Sequence, residues 1–378
     1  MIYFDNAATT RFKPSGVIKA LVKEVKNSSN SGRSGHDDAI ANMAKIEYTR
    51  RNLLKLYGAE SGYNIVFTKN CTEALNLAIS GFLKGNEKAV TTVNEHNSML
   101  RPLFEKKRNG LSLTILNPTD NLSVSSKHVL RAAYDADFIG LNLASNVTGA
   151  VCDVADVGQK KSDRTVLLVD GSQGSPYIDI NMTRDKIDML AMPAHKGLHG
   201  IQGVGFLIFR EDIKLKPLLF GGTGVASDSV YQPLIVPECY EAGTLFAAGI
   251  HALNEGAVWS FKERQKNAEK TKILTTQMYN GLVFLGLKVY CVTPRIGIVS
   301  FKHNDIPPSV MADELNDCGF AVRSGLHCAT LIHNHLGTLD GGLIRASIGV
   351  DNTMQEVNAF LNCLEKIVAR KNKLTVKK

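Results

Sequence analysis

The chain has 378 residues, 44% hydrophobic and 21% charged, so we expect a globular protein too long for one compact core, with two lobes and a cleft between them. The formal net charge is +8, but residues 370–378 carry five cations and no acid, and without an RNA- or DNA-binding motif beside this tail nucleic-acid binding is not expected. No run of 18 apolar residues and no signal-peptide pattern occurs, which argues against a membrane span and predicts a cytoplasmic protein.

The cysteines are odd in number, scattered along the chain and without a C-x-x-C pair. This spacing indicates neither a disulfide framework nor a zinc or iron–sulfur site. We therefore expect free thiols, most of them buried and inert. The seven are Cys71, Cys152, Cys239, Cys291, Cys318, Cys328 and Cys363.

From residue 64 to residue 209, short apolar runs alternate with helix-length amphipathic stretches. This alternation predicts an α/β fold, in which a mainly parallel sheet is covered by helices on both faces. Ligands of such sheets bind beyond the carboxyl ends of the strands, so residues that follow the runs are site candidates. The predicted strands are NIVF (64–67), AVTTV (89–93), LTIL (113–116), FIGLNLA (138–144), TVLLVD (165–170), IDMLAMP (187–193) and GVGFLIF (203–209).

After about residue 256 the pattern changes. A helical stretch over 257–286 precedes strands near 287–301, a helix near 308–319 and a final helix near 353–370. This order predicts a second, smaller α+β lobe. We expect a large domain at 15–255 and a small domain at 256–378, with the N-terminal arm 1–14 packed on the small one.

Two polar residues follow neighbouring strands of the predicted sheet. Asp170 ends TVLLVD, with Gln173 in the loop after it, and Lys196 follows IDMLAMP, next to Gly197. An isolated aspartate at such a position is more often a helix N-cap, and an isolated lysine extends to solvent. The functional alternative is an amine in a dry pocket with a lowered pKa, ready to condense with an aldehyde.

The runs D-G-S-Q-G (170–174) and H-K-G (195–197), ahead of a G-x-G strand, resemble fold-type I pyridoxal 5'-phosphate (PLP) enzymes of the class V aminotransferase family. The resemblance extends from FDNAATT (4–10) to IRASIGVDNT (344–353) and is closest to group II cysteine desulfurases and selenocysteine lyases. It implies the PLP-dependent transferase fold type I, with a mainly parallel seven-stranded sheet covered by helices and a smaller α+β domain.

By this resemblance Lys196 carries PLP as a Schiff base, Asp170 pairs with the pyridinium nitrogen and Gln173 donates to the phenolate oxygen. A carboxylate at that nitrogen keeps it protonated, which makes the ring an electron sink. His96, in TTVNEHNS, matches the family histidine that stacks on the ring and helps to move protons. A lone histidine is more often structural, but this one follows a strand of the same sheet.

The phosphate needs backbone amides and hydroxyls. Cys71 and Thr72 open a predicted helix after NIVF, where the helix dipole favours an anion, although a threonine there is equally a plain N-cap. His195 resembles a second phosphate contact, and Thr244 resembles one that the partner subunit supplies, which implies a homodimer. The chain departs from the family at Pro193, where a serine usually bonds the phosphate and a proline offers no hydroxyl or N–H.

The run RSGLHCA (323–329) resembles the R-x-G-x-H-C-A segment of group II cysteine desulfurases. Arg323 and His327 are two potential cations beside Cys328 and are expected to favour an exposed thiolate over a buried, inert thiol. His333 and His335 follow closely, but H-x-H with one cysteine is an incomplete ligand set. We expect these two to be surface or loop histidines and predict no metal site.

The substrate residues rest on the resemblance. Arg345, in IRASIG, matches the arginine that grips the substrate α-carboxylate, a task suited to a planar bidentate fork. Its alternative is a surface ion pair. Asn146, in ASNVTG, resembles a residue near cofactor and substrate, and His36, in GRSGH, one at the mouth of the site. Arg323 is expected to bind the substrate as well.

The resemblance implies conversion of L-cysteine to L-alanine, in which Lys196 removes the α-proton and Cys328 accepts the sulfur as a persulfide. That sulfur then passes to an acceptor protein for iron–sulfur cluster or thiolated-cofactor assembly. The nearest alternative is a selenocysteine lyase. A less favoured one is an aminotransferase or epimerase that does not use Cys328. A non-catalytic scaffold in a sulfur-transfer assembly is a further alternative, disfavoured because Lys196, Asp170, His96 and Cys328 are all present.

Overall fold

A computed structural model describes residues 1–30, 34–118, 122–291 and 296–375. To residue 210 the elements are β1 (Ile2–Tyr3), α1 (Ser15–Lys26), α2 (Asp37–Leu56), β2 (Tyr63–Thr68), α3 (Cys71–Phe82), β3 (Lys88–Thr92), α4 (Asn97–Arg108), β4 (Ser112–Leu116), α5 (Ser126–Ala132), β5 (Phe138–Asn142), α6 (Val154–Lys160), β6 (Val166–Asp170), β7 (Met189–Pro193) and β8 (Gly205–Arg210). After it come α7 (Ala247–Lys262), α8 (Arg264–Phe284), β9 (Lys288–Val289), β10 (Ile298–Lys302), α9 (Pro308–Asp317), β11 (Phe320–Ala321), β12 (Arg323–Gly325), α10 (Thr330–His335), β13 (Leu343–Ser347) and α11 (Met354–Thr375). In the part of the chain so described, no helix has the length and apolar character needed to cross a membrane.

The central sheet has seven strands in the order β2, β8, β7, β6, β5, β3, β4. β8 runs antiparallel to both of its neighbours, and the other adjacent pairs are parallel. Alternate residues of β6 enter two separate apolar clusters, Leu167 and Val169 in one and Leu168 in the other. Both faces of the sheet are therefore covered, which confirms the predicted α/β fold and all seven predicted strands.

A four-stranded antiparallel sheet, ordered β12, β13, β10, β9, forms the second part of the structure. β1 of the N-terminal arm pairs in parallel with β11, and Phe4 packs in the same apolar cluster as residues of α8, α9 and α11. Residues 292–295, within the stretch predicted as strands near 287–301, lie outside the described residues.

The helix predicted over 257–286 is wrong as a single element. It is two helices, α7 and α8, separated at Glu263, whose ψ of 6° departs from the helical value. The Glu263 N–H still donates to the Trp259 carbonyl, and no proline or glycine stands at this break to reveal it in the sequence. α7 begins at residue 247 and packs on α1 and α2, and the boundary expected at 255/256 falls inside it.

The carboxyl ends of the parallel strands meet at one edge of the central sheet. Asn142 of β5 lies opposite Asp170 of β6, which lies opposite Ala191 of β7. α3 and α4 begin just after β2 and β3, so their N-termini point to this edge as well. The edge thus collects side chains from three strands and the positive ends of two helices.

Two glycines allow the backbone to come close at this edge. A Cβ at Gly205, where β8 begins, would lie 2.5 Å from the carbonyl carbon of Asn70 at the start of α3. A Cβ at Gly197 would lie 1.8 Å from the Ser175 carbonyl oxygen. Larger residues at either position require a backbone shift, so both glycines hold the segments of the edge together.

We predict that Gly197→Ala lowers the free energy of unfolding by about 2 kcal/mol or more, because its methyl group must displace the Ser175 carbonyl. Urea denaturation of cofactor-free protein measures the change. Gly35→Ala is the matched control, since nothing lies within 4 Å of a Cβ built there. Equal denaturation midpoints for the two variants would contradict the packing argument.

Candidate active site

A cavity opens at this edge, and eight of the thirteen residues predicted for the site line it. They are Cys71, Thr72, His96, Asn146, Asp170, Gln173, His195 and Lys196. The strand ends and helix starts described above place them, and the sequence spacing between the first and the last exceeds 120 residues. The fold therefore brings together most of the side chains that the motifs had singled out separately.

Asp170 lies at the end of β6 and is 4% exposed. Its Oδ1 accepts a hydrogen bond from the Ser172 N–H at 2.9 Å and contacts the Cys71 thiol at 3.6 Å. Burial and the nearby carboxylate raise the pKa of the Cys71 thiol, which therefore stays protonated and donates to Asp170. Hydrogen bonds from the protein thus hold Oδ1 in place, and the Asp170 carboxylate lines the cavity.

Lys196 follows β7 and extends into the cavity. Burial lowers the pKa of its amine, and the negative charge of Asp170 only partly opposes this effect. A larger fraction of the amine is therefore uncharged than in a solvent-exposed lysine, which is the state needed for a nucleophile or a base.

His96 is the N-cap of α4, and its Nδ1 accepts the Ser98 N–H at 3.1 Å. An accepting Nδ1 places the proton of the neutral ring on Nε2. Burial lowers the pKa of His96 to about 4, although Asp170 acts in the opposite direction. The ring is therefore neutral near pH 7 and carries its proton on Nε2.

Hydroxyls from two helix starts meet at one end of the cavity. Thr72 Oγ1 of α3 lies 2.8 Å from Ser98 Oγ of α4. His195 lines the same cavity, and its Nδ1 is buried without a hydrogen-bond partner among the described residues. Pro193, also in the lining, supplies no donor here. The arrangement suits an anion, because it offers hydroxyls, helix N-termini and an unpaired ring nitrogen.

The Cys328 loop is held against the cavity wall by two hydrogen bonds. The Asn97 N–H donates to the Cys328 carbonyl at 2.7 Å, and Asn146 Nδ2 donates to the His327 carbonyl at 2.7 Å. His327 and Cys328 both have positive φ, 48° and 56°, so the turn is sharp. The Cys328 side chain is exposed, with Arg323 Nη2 3.9 Å from its sulfur.

The expectation for His327 is wrong. Its side chain is buried, its Nε2 lies 3.3 Å from the Arg323 carbonyl, and burial lowers its pKa to about 3. It is therefore a neutral structural residue, not a cation beside Cys328. His333 was also misplaced on the surface, because it is fully buried, with Nδ1 2.8 Å from Thr338 Oγ1 and its ring stacked on His327. His335 is exposed, as expected.

Arg345 is buried in β13 and reaches the cavity wall from the second sheet. Its Nη2 donates to Asp5 Oδ1 at 2.9 Å and its Nη1 to the Asn146 carbonyl at 3.0 Å. Its Nε and Asn146 Oδ1 are buried without a partner in the described chain. A surface ion pair is therefore excluded for Arg345, and two unpaired polar atoms remain beside the cavity.

Two predicted residues lie away from the cavity of their own chain. His36 is exposed and caps α2, with its Nδ1 accepting the Ala39 N–H at 3.3 Å. Thr244 is exposed in a separate groove beside Arg50 and Glu241. In the described ranges of the chain, no group of three or more His, Cys, Asp and Glu side chains is arranged to hold a metal ion.

The sequence reasoning missed Ser98, Ser172 and Asp5. Ser98 and Ser172 stand within the runs that contain His96 and Asp170, and Asp5 stands in FDNAATT. Their motifs were therefore visible. The direction of each side chain, however, depends on where α4 begins and on how the N-terminal arm reaches β13.

The aminotransferase class-V family model matches residues 2–360. The chain belongs to the class-V aminotransferase family. Two relatives named "Probable cysteine desulfurase" are similar to it over 97% of this chain and 94% of their own length, at 30% identity for Methanothermobacter thermautotrophicus and 31% for Pyrococcus abyssi. The apo structure of a cysteine desulfurase from Thermococcus onnurineus NA1 has a TM-score of 0.90 at 30% identity, covering 97% of this chain and 94% of that one.

PLP is the cofactor of this family, and the cavity of this class-V aminotransferase fits it. A buried carboxylate faces the cavity at Asp170, an amine of lowered pKa stands at Lys196, and His195 Nδ1 is an unpaired polar atom at the anion-binding end. These are the groups that a protonated ring nitrogen, an aldehyde and a phosphate require.

We predict a pH effect of His96 on stability. Its folded pKa of about 4 lies below the ordinary value of 6.5, so between these values unfolding takes up a proton and stability falls as the pH falls. One such group contributes up to about 1.4 kcal/mol per pH unit. His96→Asn keeps an N-cap and should make the decline in urea midpoint between pH 6.5 and 5 less steep. Plotted against pH, the urea midpoints of the wild type and of His96→Asn should run parallel above pH 7.5. Equal slopes of the two plots below pH 6.5 would contradict the prediction.

Proposed function

We propose that this protein is a PLP-dependent cysteine desulfurase that converts L-cysteine to L-alanine and holds the sulfur as a persulfide on Cys328. The observation that carries the proposal is the hydrogen bond from the Asn97 N–H to the Cys328 carbonyl. Because Asn97 directly follows His96, which lines the cavity with Lys196, this bond holds the Cys328 backbone close to that cavity, while the thiol is exposed. The names of the similar proteins agree with this chemistry.

The residues that would hold PLP follow from the cavity. Lys196 would bind the aldehyde carbon covalently, and Asp170 would pair with the ring nitrogen. Gln173 Nε2 donates one N–H to the Ala7 carbonyl at 2.8 Å, and its second N–H would donate to the phenolate oxygen. Thr72 and His195 would contact the phosphate. When bound, PLP supplies an electron sink that stabilises negative charge at the substrate α-carbon.

The chain's own residues perform the remaining steps. Lys196 Nζ, once uncharged, accepts the proton from the substrate α-carbon. Arg345 binds the α-carboxylate through guanidinium N–H groups that its bonds to Asp5 and to the Asn146 carbonyl leave unused. The Cys328 thiolate attacks the substrate sulfur, so that an S–S bond forms on Cys328 and the carbon–sulfur bond of the substrate breaks. L-cysteine and the thiol thereby become L-alanine and the persulfide, with no further oxidant or reductant.

An acceptor protein is proposed to take the persulfide sulfur. The Cys328 side chain is exposed, and the neighbouring Leu326 is 37% exposed, so a second protein can approach the sulfur directly. We also propose the cytoplasm as the location, because the reaction needs Cys328 as a free thiol and such compartments keep thiols reduced.

A homodimer is proposed because Thr244 does not line the cavity of its own chain. Glu241 anchors the segment before it, with Oε2 2.5 Å from Arg50 Nη2 and Oε1 accepting the Phe67 N–H at 2.6 Å. The preceding segment exposes a group of large apolar side chains, which is typical of an interface. They are Phe220, Val230, Tyr231, Leu234 and Ile235, each at least 65% exposed.

We predict that the protein is a dimer by light scattering and that Leu234→Glu makes it a monomer. PLP binding should weaken in parallel, because Thr244 of one subunit would no longer reach the cavity of the other. Phe284→Glu is the matched control, since Phe284 is 87% exposed on α8, outside this apolar segment. A wild-type protein that is monomeric and fully active would refute the dimer.

We predict that Cys328→Ser binds PLP like the wild type but loses alanine production from L-cysteine by at least about a hundredfold, because serine cannot accept the sulfur. Mass spectrometry should find one added sulfur on the wild-type peptide that contains Cys328 and none on the variant. Cys318→Ser, at the second exposed cysteine, should leave both measurements unchanged. A Cys328→Ser protein with the wild-type rate would disprove the desulfurase mechanism.

Purified wild-type protein should be yellow because PLP is bound covalently to Lys196. Lys196→Ala should lose this absorbance on dialysis.

A further inference from the structure

Pro193 leaves the phosphate end of the cavity one donor short. It ends β7, lies opposite Gly205 of β8 and lines the cavity, but a proline carries neither a hydroxyl nor an N–H. A bound phosphate monoester carries up to two negative charges and several acceptor oxygens. An uncompensated oxygen in a partly buried site costs affinity, so another donor at this end is required.

Ser98 stands in the position to supply it. It is in the first turn of α4, lines the cavity, and its Oγ lies 2.8 Å from Thr72 Oγ1. Two hydroxyls at this distance satisfy each other with a single proton, so a second proton is available for another acceptor. An anion beside Thr72 is therefore within reach of both hydroxyls, which lie at the N-termini of α3 and α4.

The Ser98 hydroxyl is free to turn toward an anion. Its Oγ lies 2.9 Å from His96 Nδ1. If this were the only hydrogen bond to Nδ1, rotation of the hydroxyl would leave the ring nitrogen without a partner. However, Nδ1 also accepts the backbone N–H of Ser98 at 3.1 Å. The ring nitrogen therefore remains paired when the hydroxyl rotates, and the neutral state and orientation of His96 are retained.

We propose that Ser98 is a phosphate-binding residue of this chain and takes the place of the hydroxyl that Pro193 does not provide. This inference rests on the proposed PLP-dependent function. Each of the two hydroxyls carries one proton, so Ser98 and Thr72 both donate to the phosphate once their mutual hydrogen bond is released, with His195 as the third contact. The phosphate is bound mainly from α3 and α4 and less from the strand that carries Lys196.

The test compares PLP with pyridoxal, which has the aldehyde and ring but no phosphate. Cofactor-free wild type and Ser98→Ala are titrated with each ligand, and binding is followed by absorbance. Loss of a hydrogen bond to a charged group should weaken PLP binding by about tenfold or more. Binding of pyridoxal should change by less than about twofold, because both ligands keep the same ring contacts.

Three further variants test whether the Ser98 hydroxyl itself contacts the phosphate. Ser98→Thr keeps the hydroxyl and should keep the affinity for PLP. Pro193→Ser, added to Ser98→Ala, should restore PLP binding by returning a hydroxyl to the cavity lining. Ser172→Ala is the matched control: its side chain lines the same cavity but contacts the Cys71 sulfur at 3.1 Å, at the Asp170 end. It should change the affinities for PLP and pyridoxal by equal factors.

The outcomes separate this inference from the proposed function. Equal PLP affinity in Ser98→Ala and wild type would overturn the phosphate role, and so would an equal loss for PLP and pyridoxal, which would mean that Ser98 acts through His96. If Ser98→Ala is not folded, Ser98→Cys gives the same comparison, because it keeps the size with a weaker donor. A wild-type protein that binds neither ligand would instead refute the proposed PLP-dependent function.

Discussion

The hydrogen bond from the Asn97 N–H to the Cys328 carbonyl joins the two parts of the structure that the chemistry requires. Cys328 belongs to a loop of the second sheet, and Asn97 begins α4 of the first. A second bond, from Asn146 to the His327 carbonyl, and the packing of Ala329 against Val93 and Val147 also hold the loop beside the cavity. Two consecutive residues with positive φ make the turn costly, so it persists only because the cavity wall holds it.

Burial determines the charges inside the cavity. It lowers the pKa values of Lys196, His96 and His195 and raises that of Cys71, so these four groups of the lining shift toward their neutral forms. In such a buried site, the interactions of any charge are stronger than they are in water. An anionic ligand therefore needs hydrogen-bond donors at fixed positions in the cavity. The N-termini of α3 and α4 supply such donors without adding a formal charge.

The strands and the residues after them could be predicted because each buried run is continuous and its end carries an unusual polar residue. Asp170 and Lys196 illustrate this, since both follow strands of the central sheet and line one cavity. The break at Glu263 could not be predicted, because it has no proline or glycine. His327 was misjudged since adjacency in sequence does not determine side-chain direction, and a turn with positive φ sends its ring into the core while Cys328 stays exposed.

The N-terminal arm contributes to the site through Asp5. Asp5 bridges in parallel to Ser347, and its carboxylate accepts a hydrogen bond from Arg345 on the same strand. A buried guanidinium without a partner is strongly unfavourable, so Asp5 stabilises Arg345 while no substrate is present. The guanidinium has five N–H donors, and its bonds to Asp5 and to the Asn146 carbonyl leave others open. Under the proposed function, a substrate carboxylate would bind Arg345 beside Asp5, and repulsion between the two carboxylates would then limit how closely the substrate approaches.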